Sequence, residues 1–393
     1  MKRIISIVLF VSMAFCLFSQ DNKATIKFLK GNISEKTAAV TSASGEEAAL
    51  LSSKAIEFAL DNKEILGNDR DLDALVVAAI LSISPDYVKN DTPNRKQYLE
   101  SQLIQLFKKF NESPIVQISV LSKLSFIDEY IPTDNFTALL NDYLKSINIY
   151  TADSDVINTA LKVLETIGNS ETFLILYSFL GNENYEKYND GIKATIAMLV
   201  PISMNEILSL IHNKSESSQI KVLFDLIKNN SKISKNNLCE IAENLLIESI
   251  LIAEDSLKIS EDDIALQLDS LRILSDNKWT RASSICVSYL KLAKNLYNNS
   301  LIDEKQFKDV IVATSNIAPI DSVIPLTEYL AELNGLKEEG VNVSEEVLLA
   351  VINSLGAIGD KSAFDSLLAV TYLNYSESVL TAARKALSGL RWQ

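Results

Sequence analysis

Apolar residues recur along nearly the whole chain at i, i+3, i+4 and i+7, and strand-like alternation is almost absent. That is the helical period, because residues three and four apart share one face of a helix. Prolines are rare and stand between the apolar runs, as at Pro85, Pro93, Pro132 and Pro201. A proline lacks the backbone donor that a helix interior needs, so these positions mark boundaries between helices. The pattern predicts an all-α chain.

One stretch shows how the helices are joined. In V-I-N-S-L-G-A-I-G-D, residues 351–360, Val351, Leu355 and Ile358 share a face, Gly359-Asp360 makes a tight turn, and Phe364 and Leu367 begin a return helix. The same layout ends at Ile127, Ile167, Leu274 and Ile317, and in fainter form at Ala43, Ile83 and Ile227. The intervals between these eight positions are 40, 44, 40, 60, 47, 43 and 41 residues. Six of the seven fit a two-helix repeat of roughly 40–47 residues. The long one predicts a loop or an extra helix, and 181–215 is where a break or insertion is expected. One amphipathic hairpin cannot bury its apolar face alone, whereas stacked copies make a continuous core with an extended surface.

These segments resemble HEAT repeats, and the last of them look most like the HEAT-like repeats first described in phycobilisome lyases. The best matches are 346–360, 155–169 and 378–387; elsewhere the resemblance rests on spacing. The family often has Asp in the turn between helices. Here that is Asp276 and Asp360, with Asn169, Asn229 and Pro319 in the other turns. The family's ladder of basic residues is reduced to Arg384, so no regular polar ladder of that kind is expected. The resemblance implies a right-handed α-solenoid of about eight two-helix repeats.

The first residues stand apart. Lys2 and Arg3 precede Ile4–Phe18, which is apolar except for Ser6 and Ser12, and small Ser19 precedes a polar stretch. The apolar run is short for a membrane span of roughly twenty residues, and the layout is that of a secretory signal peptide over residues 1–19. Cys16 follows bulky Phe15, where a lipoprotein signal would have a small residue. The mature chain is then 20–393, with no stable membrane span, placed in the periplasm or outside the cell.

Charge and composition narrow the partners and the chemistry. The formal net charge is −14, and removal of Lys2 and Arg3 makes it more acidic by two. Such a surface repels phosphate backbones, which argues against nucleic acid. Only Cys239 and Cys286 survive removal of the signal. They lie about one repeat apart and can face each other on neighbouring hairpins, as a disulfide or as two buried free thiols; they are too few for a disulfide framework or a metal site. The chain has one histidine, His212, beside apolar residues, and no serine-hydrolase elbow, zinc-protease, P-loop or dinucleotide motif. The acidic clusters Glu46-Glu47, Glu254-Asp255, Glu261-Asp262-Asp263 and Glu338-Glu339 lack calcium-loop spacing; Ser260 followed by three acids reads as a helix start.

Of the two tryptophans, Trp279 falls at a return-helix core position and Trp392 near the terminus, so neither suggests a sugar cleft. Tyr177, Tyr185 and Tyr188 bracket 181–191, and Tyr372 and Tyr375 lie between the last helices. Tyrosine favours interfaces, so the 181–191 region is the expected contact surface. No catalytic, cofactor-binding or metal residues are assigned. The expected function is a non-catalytic scaffold or adaptor, holding protein partners in the cell envelope without a cofactor. Two readings compete with it. One is a cell-wall- or membrane-associated structural protein. The other is a helical-toroid hydrolase or lyase, which needs a carboxylate pair or cofactor pocket formed in three dimensions.

Overall fold

The computed structural model describes residues 23–213, 216–255 and 259–392. The segment 1–19, with Lys2, Arg3 and Cys16, lies outside them. Among the described residues the chain is all-helical and has no strand; a single bridge joins Asp360 to Arg391. The helices gather into two compact units, one ending at Ile202 and the other beginning at Ser203.

The first unit contains α1 (Lys23–Lys30), α2 (Ile33–Ser42), α3 (Gly45–Leu66), α4 (Arg70–Leu81), α5 (Pro85–Asn90), α6 (Pro93–Lys109), α7 (Pro114–Ile127), α8 (Asp134–Ser146), α9 (Ser154–Ile167), α10 (Ser170–Tyr177) and α11 (Asn189–Leu199). Helices α2, α4, α7, α9 and α11 pack each on the next, and α3, α6, α8 and α10 form a second series beside them. The second unit contains α12 (Met204–His212), α13 (Ser217–Lys228), α14 (Lys235–Asp255), α15 (Glu261–Asp276), α16 (Ser283–Asn298), α17 (Glu304–Ile317), α18 (Val323–Glu338), α19 (Glu345–Ile358), α20 (Phe364–Val370) and α21 (Glu377–Ser388). There α13, α15, α17, α19 and α21 pack in succession. Alongside them α12 meets α14, α14 meets α16, and α18 meets α20. Lys294 of α16 pairs with Glu332 of α18. The described part of 181–215 holds a 3-10 turn over Glu183–Tyr188 and the helices α11 and α12.

Local chemistry sets the helix ends. Pro85, Pro93 and Pro114 each open a helix, where a missing donor costs nothing. Asn32 with Glu35, Ser260 with Asp263, and Asp303 with Gln306 form reciprocal capping boxes that satisfy backbone donors at the starts of α2, α15 and α17. Each of the eight positions picked out by spacing falls within two residues of a helix end; Ile127, Ile167, Ile317 and Ile358 are the last helical residues themselves. Gly359 then turns the chain in the left-handed region at φ 73°. Gly168, at the corresponding place after α9, is not left-handed. It is small for another reason: a Cβ there would lie 2.4 Å from the Leu164 carbonyl and 3.1 Å from a Leu199 methyl.

Contacts near the helix ends show that α4 and α7 run parallel, as do α15, α17 and α19. At the start of α7, Ser113 donates to Asp73 in the first turn of α4 (2.7 Å). Toward its far end, Lys123 donates to the carbonyls of Leu81 and Ile83, just where α4 finishes (3.3 and 2.8 Å). In the second unit Ser344 donates to Glu304 at the starts of α19 and α17 (2.7 Å), and Asn316 donates to Ser275 at the ends of α17 and α15 (3.3 Å). A polar ladder therefore exists: hydroxyls meet carboxylates at helix starts, and lysines also reach from one hairpin to the next, as Lys123 to the Leu81 and Ile83 carbonyls, Lys228 to Asp269 and Lys308 to Glu346. The core between the series is filled by Phe110, Phe136, Phe173, Phe224, Phe307 and Tyr289, all fully buried.

Candidate interaction surfaces

Most of the side chains that the sequence singles out have structural tasks. His212 ends α12 half-exposed, its Nδ1 2.8 Å from Glu248 Oε1 of α14. Among the described residues no cluster of His, Cys, Asp or Glu is arranged to hold a metal ion. Cys239 and Cys286 are both buried and free. Burial pushes the Cys286 thiol up to about 12, and burial followed by the nearby Glu243 charge raises that of Cys239. Glu254-Asp255 lies outside the described side chains.

Trp279 is not in the return helix. It sits in the turn before α16, where its indole N–H donates to Glu243 Oε2 (2.7 Å), and Arg281 donates to the same oxygen (2.7 Å) with its guanidinium over the Trp279 ring. The helix begins only after a 3-10 turn, which leaves Trp279 half-buried at its mouth. Trp392 packs edge-on against Phe364. The tyrosines around 181–191 are mostly turned inward: Tyr177 and Tyr188 are buried, and Tyr185 stacks on Phe179 at 4.0 Å. Tyr150 is exposed, with its hydroxyl donating to Asn184 (2.6 Å). Tyr372 is exposed, whereas Tyr375 donates to the Leu333 carbonyl (3.3 Å), and burial pushes its hydroxyl up to about 12.

Among the described residues, hollows of different kinds stand out. In the first unit a polar one of about 1000 Å³ lies where α6 and α8 end and α7 and α9 begin. Lys108, Glu112, Asp142, Asp153 and Lys187 surround it, and burial followed by the Asp153 charge pushes the Tyr143 hydroxyl up to about 12. In the second unit a groove of about 690 Å³ runs between α15 and α17, with Asp269, Asp276, Asp303 and Asp309 facing Arg272 and Lys305. The third hollow is apolar. It occupies about 860 Å³ between α4 and α7, and a shallower extension of about 470 Å³ between α2 and α4 shares Thr41 and Ala74 with it.

This last groove has a source in the sequence that a search for motifs passes over. Leu72, Leu75, Val76, Ala79 and Ile80 of α4 face the core. Ala74, Val77, Ala78 and Leu81 make a second apolar face at i, i+3, i+4 and i+7, and that face lines the groove. A helix apolar on both sides either is buried on both or offers one to another molecule. Leu81 is 69% exposed and Ile115, across the groove, 59%.

The chain matches no known family model, and no curated protein matches it.

Proposed function

We propose that this chain is an exported, non-catalytic scaffold: a right-handed α-solenoid of about eight HEAT-like hairpins that holds protein partners in the cell envelope without a cofactor. The observation that carries the reading is the recurrence of contacts one hairpin apart. Asp73–Ser113 and Glu304–Ser344 are each separated by 40 residues, and Lys228–Asp269 by 41. Contacts of this kind make each hairpin lean on the next, as stacked repeats do, which supports an extended surface for partners. Shape and charge complementarity over many small contacts then supplies the affinity. The signal-like pattern of residues 1–19 supports export, and the acidic balance supports protein rather than nucleic-acid partners.

The test is mild crosslinking in intact cells of the source organism, followed by purification and mass spectrometry. The expected result is one envelope protein recovered reproducibly, in fixed proportion, through crosslinks that cluster on one face. A chain recovered alone, with no partner at any crosslinker length, overturns the scaffold reading.

A further inference from the structure

We propose that the groove between α4 and α7 binds an amphipathic helix of a partner protein that carries Lys or Arg beside its apolar face. This inference rests on the scaffold reading and names the partner's chemistry. The groove is a trench because its floor is small, with Ala74 and Ala78 from α4 and Thr41 from α2, while Leu81 and Ile115 stand up as walls. The twelve residues of α4 give it a length of about 18 Å, or three turns of a docked helix with anchors at i, i+3/i+4 and i+7.

Charge selects among such helices. Where α4 and α7 begin, Asp71, Asp73 and Glu112 border the groove beside Arg70, and Glu112 accepts from Asn68; Lys123 stands at the other end, bonded to the Leu81 and Ile83 carbonyls. One oxygen of Asp73 accepts from Ser113, and the other is buried without a hydrogen-bond partner, so the Asp73 charge acts on the groove through space rather than by direct contact. A cationic side chain there is attracted, and an anionic one repelled. The two walls favour leucine-like anchors, so the occupant pairs an apolar face with basic residues at the acidic end.

The test uses chain 20–393 and a fluorescein-labelled fourteen-residue helix with a Leu/Ala face and Lys at one end, read by fluorescence anisotropy. The controls are the same peptide with Glu for Lys, a scrambled peptide of equal composition, and a peptide of residues 2–18 of this chain. We expect saturable binding of the Lys helix, weakened about ten-fold or more by the Glu exchange, by scrambling, and by Leu81→Glu or Ile115→Lys. Both variants alter exposed positions, and an unchanged melting curve verifies their fold.

Equal binding of the scrambled peptide, or unchanged binding by both variants, overturns the proposal. Tighter binding of peptide 2–18 assigns the groove to the chain's own N-terminal segment. A concentration-dependent dimer in analytical ultracentrifugation, lost in Ile115→Lys, assigns it to a second copy. Either of those outcomes also overturns the proposal. A photocrosslinker placed at residue 115 in cells separates the two levels of inference. Crosslinked partner proteins found only on other faces remove the groove but keep the scaffold. No partner from any face removes the scaffold, whatever the peptide does.

Discussion

Ser344 and Glu304 stand 40 residues apart in the chain and 2.7 Å apart in space, each at the first turn of its own helix. Ser344 serves two helices at once. Its hydroxyl oxygen accepts from the Val347 N–H at the start of α19 (3.2 Å), and its proton goes to Glu304 on α17. The same join recurs with Ser376 and Glu345 (2.8 Å), where Ser376 also caps its own helix; Ser217 donates to Asp263 (2.5 Å) in the reverse order and without the cap. Ser344→Ala is expected to lose about 1 kcal/mol, the usual cost of an N-cap. A cycle with Glu304→Gln, followed by urea denaturation, should show a coupling of about 0.5 kcal/mol or more, because each side chain needs the other. Strict additivity would reduce the serine to a local cap.

Stability should fall in acid through these joins. Hydrogen bonds from the Ser378 and Ser376 hydroxyls hold the Glu345 carboxyl below its ordinary 4.5. The Ser362 backbone N–H, then its hydroxyl, do the same for Asp360 below 3.8. A carboxyl whose folded value lies below its unfolded one stabilises the fold fully above the unfolded value, and that contribution is lost as pH falls through the folded one. Melting temperature should therefore drop between about pH 5 and pH 3. Glu345→Gln should flatten part of the drop, and an identical slope in that variant would show that Glu345 contributes nothing to it.

The two thiols should be inert in the folded chain. Both are buried, and burial holds each protonated, with Cys286 at about 12. Thiolate is the reactive form, so an aromatic disulfide reagent at pH 8 should titrate neither residue in the native protein and both in urea. Rapid native labelling at either position would mean that α14 or α16 opens readily.

Two glycines inside helices should respond oppositely to alanine. At Gly335 in α18 nothing lies within 4 Å of an added Cβ, so Gly335→Ala should stabilise by about 0.5–1 kcal/mol through helix propensity. At Gly356 in α19 the added atom would lie 2.8 Å from Ala386 Cβ and 3.0 Å from its Cα in α21. Gly356→Ala should therefore destabilise by about 1–3 kcal/mol through overpacking. Thermal melts of the two variants, moving in opposite directions, would check both.

Helix ends were the most legible part of this sequence. Ile127, Ile167, Ile317 and Ile358 close an apolar period just before a turn, and the backbone stops there. Partners a whole hairpin away were not legible. Nothing near Trp279 in the chain announces that Glu243 will satisfy its indole and hold it in the turn. The tyrosines near 181–191 look like contact residues by type, yet stacking and burial occupy most of them. The apolar groove was hidden differently: its residues are ordinary helix formers, and only the double face of α4 distinguishes them.

The parallel series also has a mechanical consequence. Lys123 ties α7 to the finishing carbonyls of α4, and Ser113 ties its start to Asp73, so these two helices are riveted at both ends. A pull applied along such a series within one unit passes through every interface in turn, like load through springs joined end to end. The weakest rivet yields first and relieves the others, so a unit of this construction stretches by separate small slips before any hairpin unravels.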